Sequence, residues 1–165
     1  MKAAAYSETD PPEVFRYTEV PDPVCAPDGV VVDVGAISIE GGDTLNRLGG
    51  LRVTQPHIVG YPCAGRVCEV GEKVGDLSAG DRVVCIDQFG SHAEKRAVPA
   101  GSTQLVPESL ELERAACVPI ALGMNHGIDY RGTDFVPATR SLPEAAQAHA
   151  FIESRQAFGR VFLIP

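Results

Sequence analysis

The sequence contains no tryptophan, and aromatic residues make up only 6% of its 165 positions. It has no continuous apolar run of the ~18–20 residues that a membrane helix needs. The start, Met1 to Glu8, turns polar too soon for a signal peptide. Basic runs are also missing. Fourteen Lys and Arg face 22 Asp and Glu, for a net charge of -8. A chain so charged lacks the electrostatic footprint for nucleic acid or for an anionic membrane surface. The five cysteines (Cys25, Cys63, Cys68, Cys85, Cys117) include no C-x-x-C pair. That excludes a disulfide framework or a zinc knuckle and points to buried thiols in a reducing cytoplasm. No G-x-G-x-x-G turn occurs to mark a helix N-terminus for a pyrophosphate, and no G-x-S-x-G marks a serine nucleophile.

What is present suits a globular domain with a core. Apolar residues reach 44% and charged residues 22%. Seventeen Gly and 13 Pro favour short strands and turns over long helices. Strands are predicted at Met1–Tyr6, Val14–Val20 and Gly29–Ser38, the last a β-branched run interrupted by Asp33. Further strands are predicted at Ala64–Val70, Asp81–Ile86, Ala93–Pro99, Gln104–Val106 and Arg160–Ile164. The alternation in Ala64–Val70 is imperfect, since Ala64, Val67 and Val70 do not share one face. Asp43 reads as the N-cap of a short helix ending at Gly49-Gly50. Leu110–Cys117 reads as a second helix. Pro143–Gln156 reads as a third, with Pro143 in its first turn, Ser141 or Leu142 as cap and Ala145, Ala148 and Ile152 as its apolar stripe. Cys63, Cys68 and Cys85 lie on strands and read as core. The whole points to a mainly β fold, a small barrel or sandwich.

The run Gly60-Tyr61-Pro62-Cys63-Ala64-Gly65, followed by Gly71 and Val74, resembles the G-H-E-x-x-G-x5-G-x-x-V pattern of the medium-chain dehydrogenase/reductase superfamily. Glu40–Arg47, Val74–Val83 and Gly90–Glu94 are similar to the zinc-free quinone oxidoreductase branch. Leu142–Val161 is similar to its C-terminal end. The resemblance implies a GroES-like β-barrel over residues 1–122. It also implies a C-terminal helix and strand, residues 141–165, that return to complete the barrel. Residues 123–140 would be a remnant of an NADPH-binding Rossmann domain, with Gly127–Arg131 resembling one strand of it. A nucleotide domain needs ~150 residues. Too few lie between the two parts, so the resemblance implies a chain that binds no cofactor by itself. Zinc is not expected either, because Ile39 or Glu40 and Tyr61 stand where zinc members carry ligands.

The resemblance places the pocket at the barrel mouth, lined by Glu40–Arg47, Tyr61 and Asp87–Phe89. Glu40, Tyr61 and Asp43 are the candidate catalytic residues. Asn46, Arg47, Asp87, Gln88, Phe89 and His92 are candidates for contacting substrate. A carboxyl shielded by the barrel wall can act as acid or base, whereas the plainer alternatives are a solvated Glu40 and an Asp43 that caps its helix. Tyr61 can donate a proton or fill the pocket. His92 can shuttle protons or sit exposed on a strand. His126 and His149 have no companion motif, and Arg155 and Arg160 read as solvated. Three functions remain open. The first is cofactor-free acid/base catalysis on an enone, quinone or polyketide-like small molecule. The second is a reductase subunit needing a nucleotide domain in trans. The third is a non-catalytic binding protein. Loss of the nucleotide domain would bare an apolar face, which implies a homo-oligomer or a partner protein.

Overall fold

The computed structural model describes residues 1–122, 138–155 and 161–165. The architecture is mainly strand: β1 (Lys2–Ala5), β2 (Arg16–Glu19), β3 (Gly29–Ile39), β4 (Pro62–Val70), β5 (Arg82–Ile86), β6 (Lys95–Pro99), β7 (Thr103–Leu105), β8 (Ala138–Ser141) and β9 (Val161–Ile164). Three α-helices accompany them: α1 (Gly41–Gly49), α2 (Leu112–Leu122) and α3 (Ala145–Glu153). Among the described residues no helix is long and apolar enough to cross a membrane. Gly127–Arg131, His126, Gln156 and Arg160 lie outside the described residues.

Strand β3 is the spine. Its 11 residues carry a β-branched run that suits a pleated sheet buried on both faces. One edge pairs antiparallel with β4. The other edge is divided: Gly29–Asp33 pairs with β6, and Ile37–Ile39 pairs with β9. The ladder then runs from β4 through β5 to β7, and from β9 to β8 in parallel. The imperfect alternation of β4 has a physical cause. Register shifts fall between Val31 and Val32 and between Val34 and Ala36, so two residues face one and the side-chain parity resets.

Both faces of the sheet are covered. Ile37, Cys63, Val67, Val83 and Cys85 join the main core with β1 and α3. Ala36, Ala64 and Val84 form a second cluster beneath Ala115 and Ala116 of α2. The alanines at positions 36 and 64, facing Ala115 and Ala116, let α2 approach closely.

Among the described residues the sheet does not close into a barrel, contrary to the expectation from the resemblance. Strands β6 and β9 share one edge of β3 and diverge from it, leaving β7 and β8 as the two ends. The β1–β2 ribbon is a separate two-stranded sheet. It joins the rest through isolated bridges, Ala3 to Ala93 and Tyr6 to His57, rather than a ladder.

The C-terminal segment does return to pack on the sheet. Besides the β9 ladder, α3 is anchored by two polar contacts to the body. Arg47, wholly buried on α1, pairs with Glu153 at the end of α3 and with Asp10 at 3.5 Å. His149 of α3 meets His92, Nε2 to Nε2, at 3.1 Å. Both rings are buried and both touch Phe15, which stacks on His92 and sits edge-on to His149. The predicted helix over 143–156 is therefore shorter and split. Leu142–Glu144 forms one 3-10 turn, closed by Glu144 accepting from the Ser141 N–H and hydroxyl, and Ala145–Glu153 continues as α3.

The histidine pair carries one ring proton between the two facing nitrogens, so one ring donates and the other accepts. Burial pushes the His92 pKa down to about 3, and the Arg96 charge adds to this. Burial, then His92 and Arg47, push His149 down as well. Both folded values lie below the unfolded value, so the unfolded chain binds more protons between them. Stability is full above pH 6.5 and falls as pH drops below it. Each proton is worth about 1.4 kcal/mol per pH unit. Urea unfolding of wild type and of His149→Gln between pH 7.5 and 5 tests this. The wild-type curve should be steeper by about one proton, and parallel curves would contradict the assignment.

Candidate active site at the start of helix α1

Helix α1 begins where β3 ends, and the turn between them is built from carboxylates. Glu40, not Asp43, is the N-cap, with extended backbone, and Asp43 is the third helical residue. The Glu40 N–H donates to Asp43 Oδ2 at 2.8 Å, and the Asp43 N–H donates to the Glu40 carbonyl at 3.0 Å. Ser38 Oγ donates to Glu40 Oε1 at 2.9 Å. Glu40 is 8% exposed and Asp43 is wholly buried. The solvated reading of Glu40 is thereby removed.

Burial is the largest influence on Asp43 and pushes its pKa up to about 7. The neighbouring Glu40 charge acts in the same direction. The Glu40 and Tyr61 N–H groups and the Arg96 cation oppose it. The result is a carboxyl that exchanges its proton near neutrality.

Tyr61 lies over this turn. A Cβ placed on Gly42 would stand 2.5 Å from Tyr61 Cε2 and 3.1 Å from its hydroxyl oxygen. Only a glycine lets the ring rest on the helix start. Tyr61 is half-buried, so part of it is open to a ligand. Gly60, just before it, has φ +116 and faces Ser91 and His92 so closely that a Cβ would collide with both. The chain is thus directed into β4 with Tyr61 on the helix side.

Arg96 fixes the neighbouring backbone. Its guanidinium donates to the carbonyls of Tyr61 (2.6 Å), Phe89 (2.5 Å) and Gly60 (3.4 Å), and is 3% exposed. The loop Asp87–Phe89 is joined to β4 in the same way, through Asp87 N–H to the Tyr61 carbonyl at 3.2 Å. Arg96 carried no signal in the sequence beyond its place on a strand.

The structure brings together Glu40, Asp43, Tyr61 and the Asp87–Phe89 loop. Asp87 and Gln88 are exposed, and Phe89 packs edge-on against His57 at 4.9 Å. Two expectations need correction. Arg47 has no exposed surface and spends its charge on Glu153 and Asp10, so it holds α1 to α3 instead of facing a ligand. His92 is buried and committed to His149; it neither contacts substrate nor sits exposed. Asn46 is half-buried; its carbonyl oxygen accepts from Tyr6 Oη at 2.9 Å and lies 3.1 Å from His57 Nε2. Cys68, read as core, is only half-buried, while Cys63 and Cys85 are buried as expected.

Helix α1 is inverted in polarity. Its buried residues are Asp43, Thr44 and Arg47. Leu45 and Leu48 face outward, and the following loop exposes Leu51 and Val53. An open recess lies over this loop, lined by Gly50–Gln55. The recess lies past the C-terminal end of α1, whereas Asp43 lies in its first turn.

The residues present do not fit zinc. Among the described residues no group of three or more His, Cys, Asp or Glu converges as a metal site. Among the described residues the one parallel strand pair is β8–β9, and residues 123–137 are fewer than the ~30 of a single βαβ unit.

Two measurements check this geometry. The Asp43 carboxyl, followed by carbon NMR in aspartate-labelled protein, should titrate near pH 7; an inflection near 4 would contradict its burial. Gly42→Ala should gain about 1 kcal/mol of helix propensity yet displace the Tyr61 ring. Near-ultraviolet circular dichroism should register that change, and an unaltered tyrosine band would refute the contact.

Residues 26–123 match the alcohol dehydrogenase GroES-like domain. A probable quinone oxidoreductase of Schizosaccharomyces pombe is 35% identical over 113 residues, covering 67% of this chain and 34% of that protein. An NADPH-dependent alkenal/one oxidoreductase of Arabidopsis thaliana is 32% identical over 135 residues, covering 74% and 35%. The chain thus spans about a third of the length of these curated relatives. The crystal structure of a quinone oxidoreductase from Pseudomonas syringae superimposes with a TM-score of 0.85 at 15% identity, covering 99% of both chains. With a GroES-like match over more than half its length and this sheet, the chain belongs to the medium-chain dehydrogenase/reductase superfamily.

Proposed function

We propose that this chain carries out acid/base chemistry, without a nicotinamide, on an enone, quinone or polyketide-like small molecule. The observation that carries the reading is the buried carboxylate turn at the start of α1, where Asp43 holds the Glu40 N–H and Tyr61 lies against Gly42. The substrate class follows from the relatives, whose names specify quinones and alkenals or alkenones.

The roles follow from exposure. Tyr61 is half-open and supplies a hydroxyl to the substrate carbonyl oxygen. Glu40 keeps a small exposed fraction and accepts a proton from the carbon next to that carbonyl. The start of α1 favours the negative charge that develops as this proton leaves. Asp43 is wholly buried and does not touch substrate. It acts through Glu40, whose N–H it holds, and is a positioning residue. Returning the proton to a different carbon gives an isomerised product, with no net change in oxidation state. Leu45, Leu48, Leu51 and Val53 supply the apolar wall against which a flat molecule lies.

A second reading draws on the same wall. Exposed leucines on a helix whose polar side is buried also suit a covered face. Covered by a partner that carries a nucleotide domain, the chain would be half of an NADPH-dependent reductase. Covered by another copy, it would be a binding protein.

Proton exchange separates these readings. In heavy water, a cyclic enone incubated with the pure chain should take up deuterium next to its carbonyl without NADPH. Tyr61→Phe and Glu40→Gln should each slow this by roughly a hundredfold. Exchange no faster than in buffer would overturn the catalytic reading and leave the binding one.

A further inference from the structure

Cys63 on β4 and Cys85 on β5 are direct partners in the antiparallel ladder. Their sulfurs are 3.3 Å apart. Cys63 is 0% exposed and Cys85 1%. An Arg96 nitrogen stands 3.7 Å from the Cys63 sulfur. Neither thiol takes a part in the proton chemistry above. Paired thiols beside a fixed cation are nevertheless a chemical device: the cation favours thiolate on the nearer sulfur, and the second thiol is within reach to resolve it.

We propose that Cys63 and Cys85 form an oxidisable dithiol, converted to a cross-strand disulfide by hydrogen peroxide. The Cys63 thiolate attacks one peroxide oxygen. The new S–O bond forms as the O–O bond breaks, and the departing hydroxide takes a proton to become water. Cys85 then attacks the Cys63 sulfur. The S–S bond forms, the S–O bond breaks, and the second oxygen leaves as water with the Cys85 proton. Two thiols are oxidised by two electrons and one peroxide is reduced to two waters. The sulfurs must approach by roughly 1.2 Å to reach disulfide length, a movement within one cross-strand pair.

The Arg96 nitrogen beside Cys63 favours that sulfur as the attacking one. The contact with Cys85 and the Arg96 cation pull the Cys63 pKa down against the effect of burial. The same contact and burial push Cys85 up. Arg96 also links the pair to the site, because its other hydrogen bonds hold the Gly60, Tyr61 and Phe89 carbonyls. Oxidation removes negative charge from beside the cation that positions Tyr61.

The inference does not rest on the proposed catalysis and is tested without it. The native chain is treated with one equivalent of hydrogen peroxide, unfolded in N-ethylmaleimide and weighed. The expected product is lighter by about 2 Da before alkylation, with three of the five cysteines alkylated. Its peptide map should join Cys63 to Cys85, and dithiothreitol should reverse it. Cys63→Ser and Cys85→Ser should each abolish the joined peptide. Should either variant fail to fold, the wild-type map still decides. Oxygen added at half-buried Cys25 or Cys68, with Cys63 and Cys85 both still alkylated, would overturn the proposal. So would a joined peptide that appears only after unfolding.

Discussion

The fold rests on a shared edge. Strand β3 offers one side to two strands from distant parts of the chain, β6 in its first half and β9 in its second. The second half is the one that matters for the site, because Ile39 leads directly into Glu40 and α1. Without β9 this edge would present unpaired backbone groups beneath the helix start, at a cost comparable to lost hydrogen bonds. The C-terminal segment therefore does more than cover the core. It fixes the end of the strand from which the acidic turn is launched.

Two side-chain contacts make that return specific. A buried Arg47 without Glu153 would leave a charge stranded in the core, a far larger penalty than the pair itself would gain at the surface. The facing imidazoles of His92 and His149 act similarly, since each satisfies a buried ring nitrogen of the other. Both contacts join elements more than fifty residues apart in sequence. They also explain why polar residues face inward on α1 while leucines face out. The helix is held by its charges and presents its apolar side to whatever occupies the rim.

Local pattern made much of this legible. The β-branched run of β3, the glycines after Ile39 and the Gly60–Val74 motif place the sheet, the helix and Tyr61 correctly in order. The resemblance groups Glu40, Asp43 and Tyr61 as expected site residues, and Tyr61 packs against Gly42 in the first turn of α1. Long-range pairing left no such mark. Nothing near Arg47 announces Glu153, nothing near His92 announces His149, and Cys63 and Cys85 become neighbours only once the register of β4 on β5 is known. The same limit hid the division of the β3 edge, so a closed barrel was expected where an open sheet stands. Arg47 and His92, polar residues beside a motif, read naturally as ligand contacts; their partners on α3 reassign them to the scaffold.

The central claim is that the chemistry at the start of α1 proceeds without a nicotinamide. Calorimetric titration of the pure chain with NADPH, in the presence and absence of an enone, tests it most directly. The account predicts no heat of binding in either case and no loss of NADPH absorbance. Saturable binding of one NADPH per chain, followed by oxidation of the coenzyme when the enone is added, would contradict it.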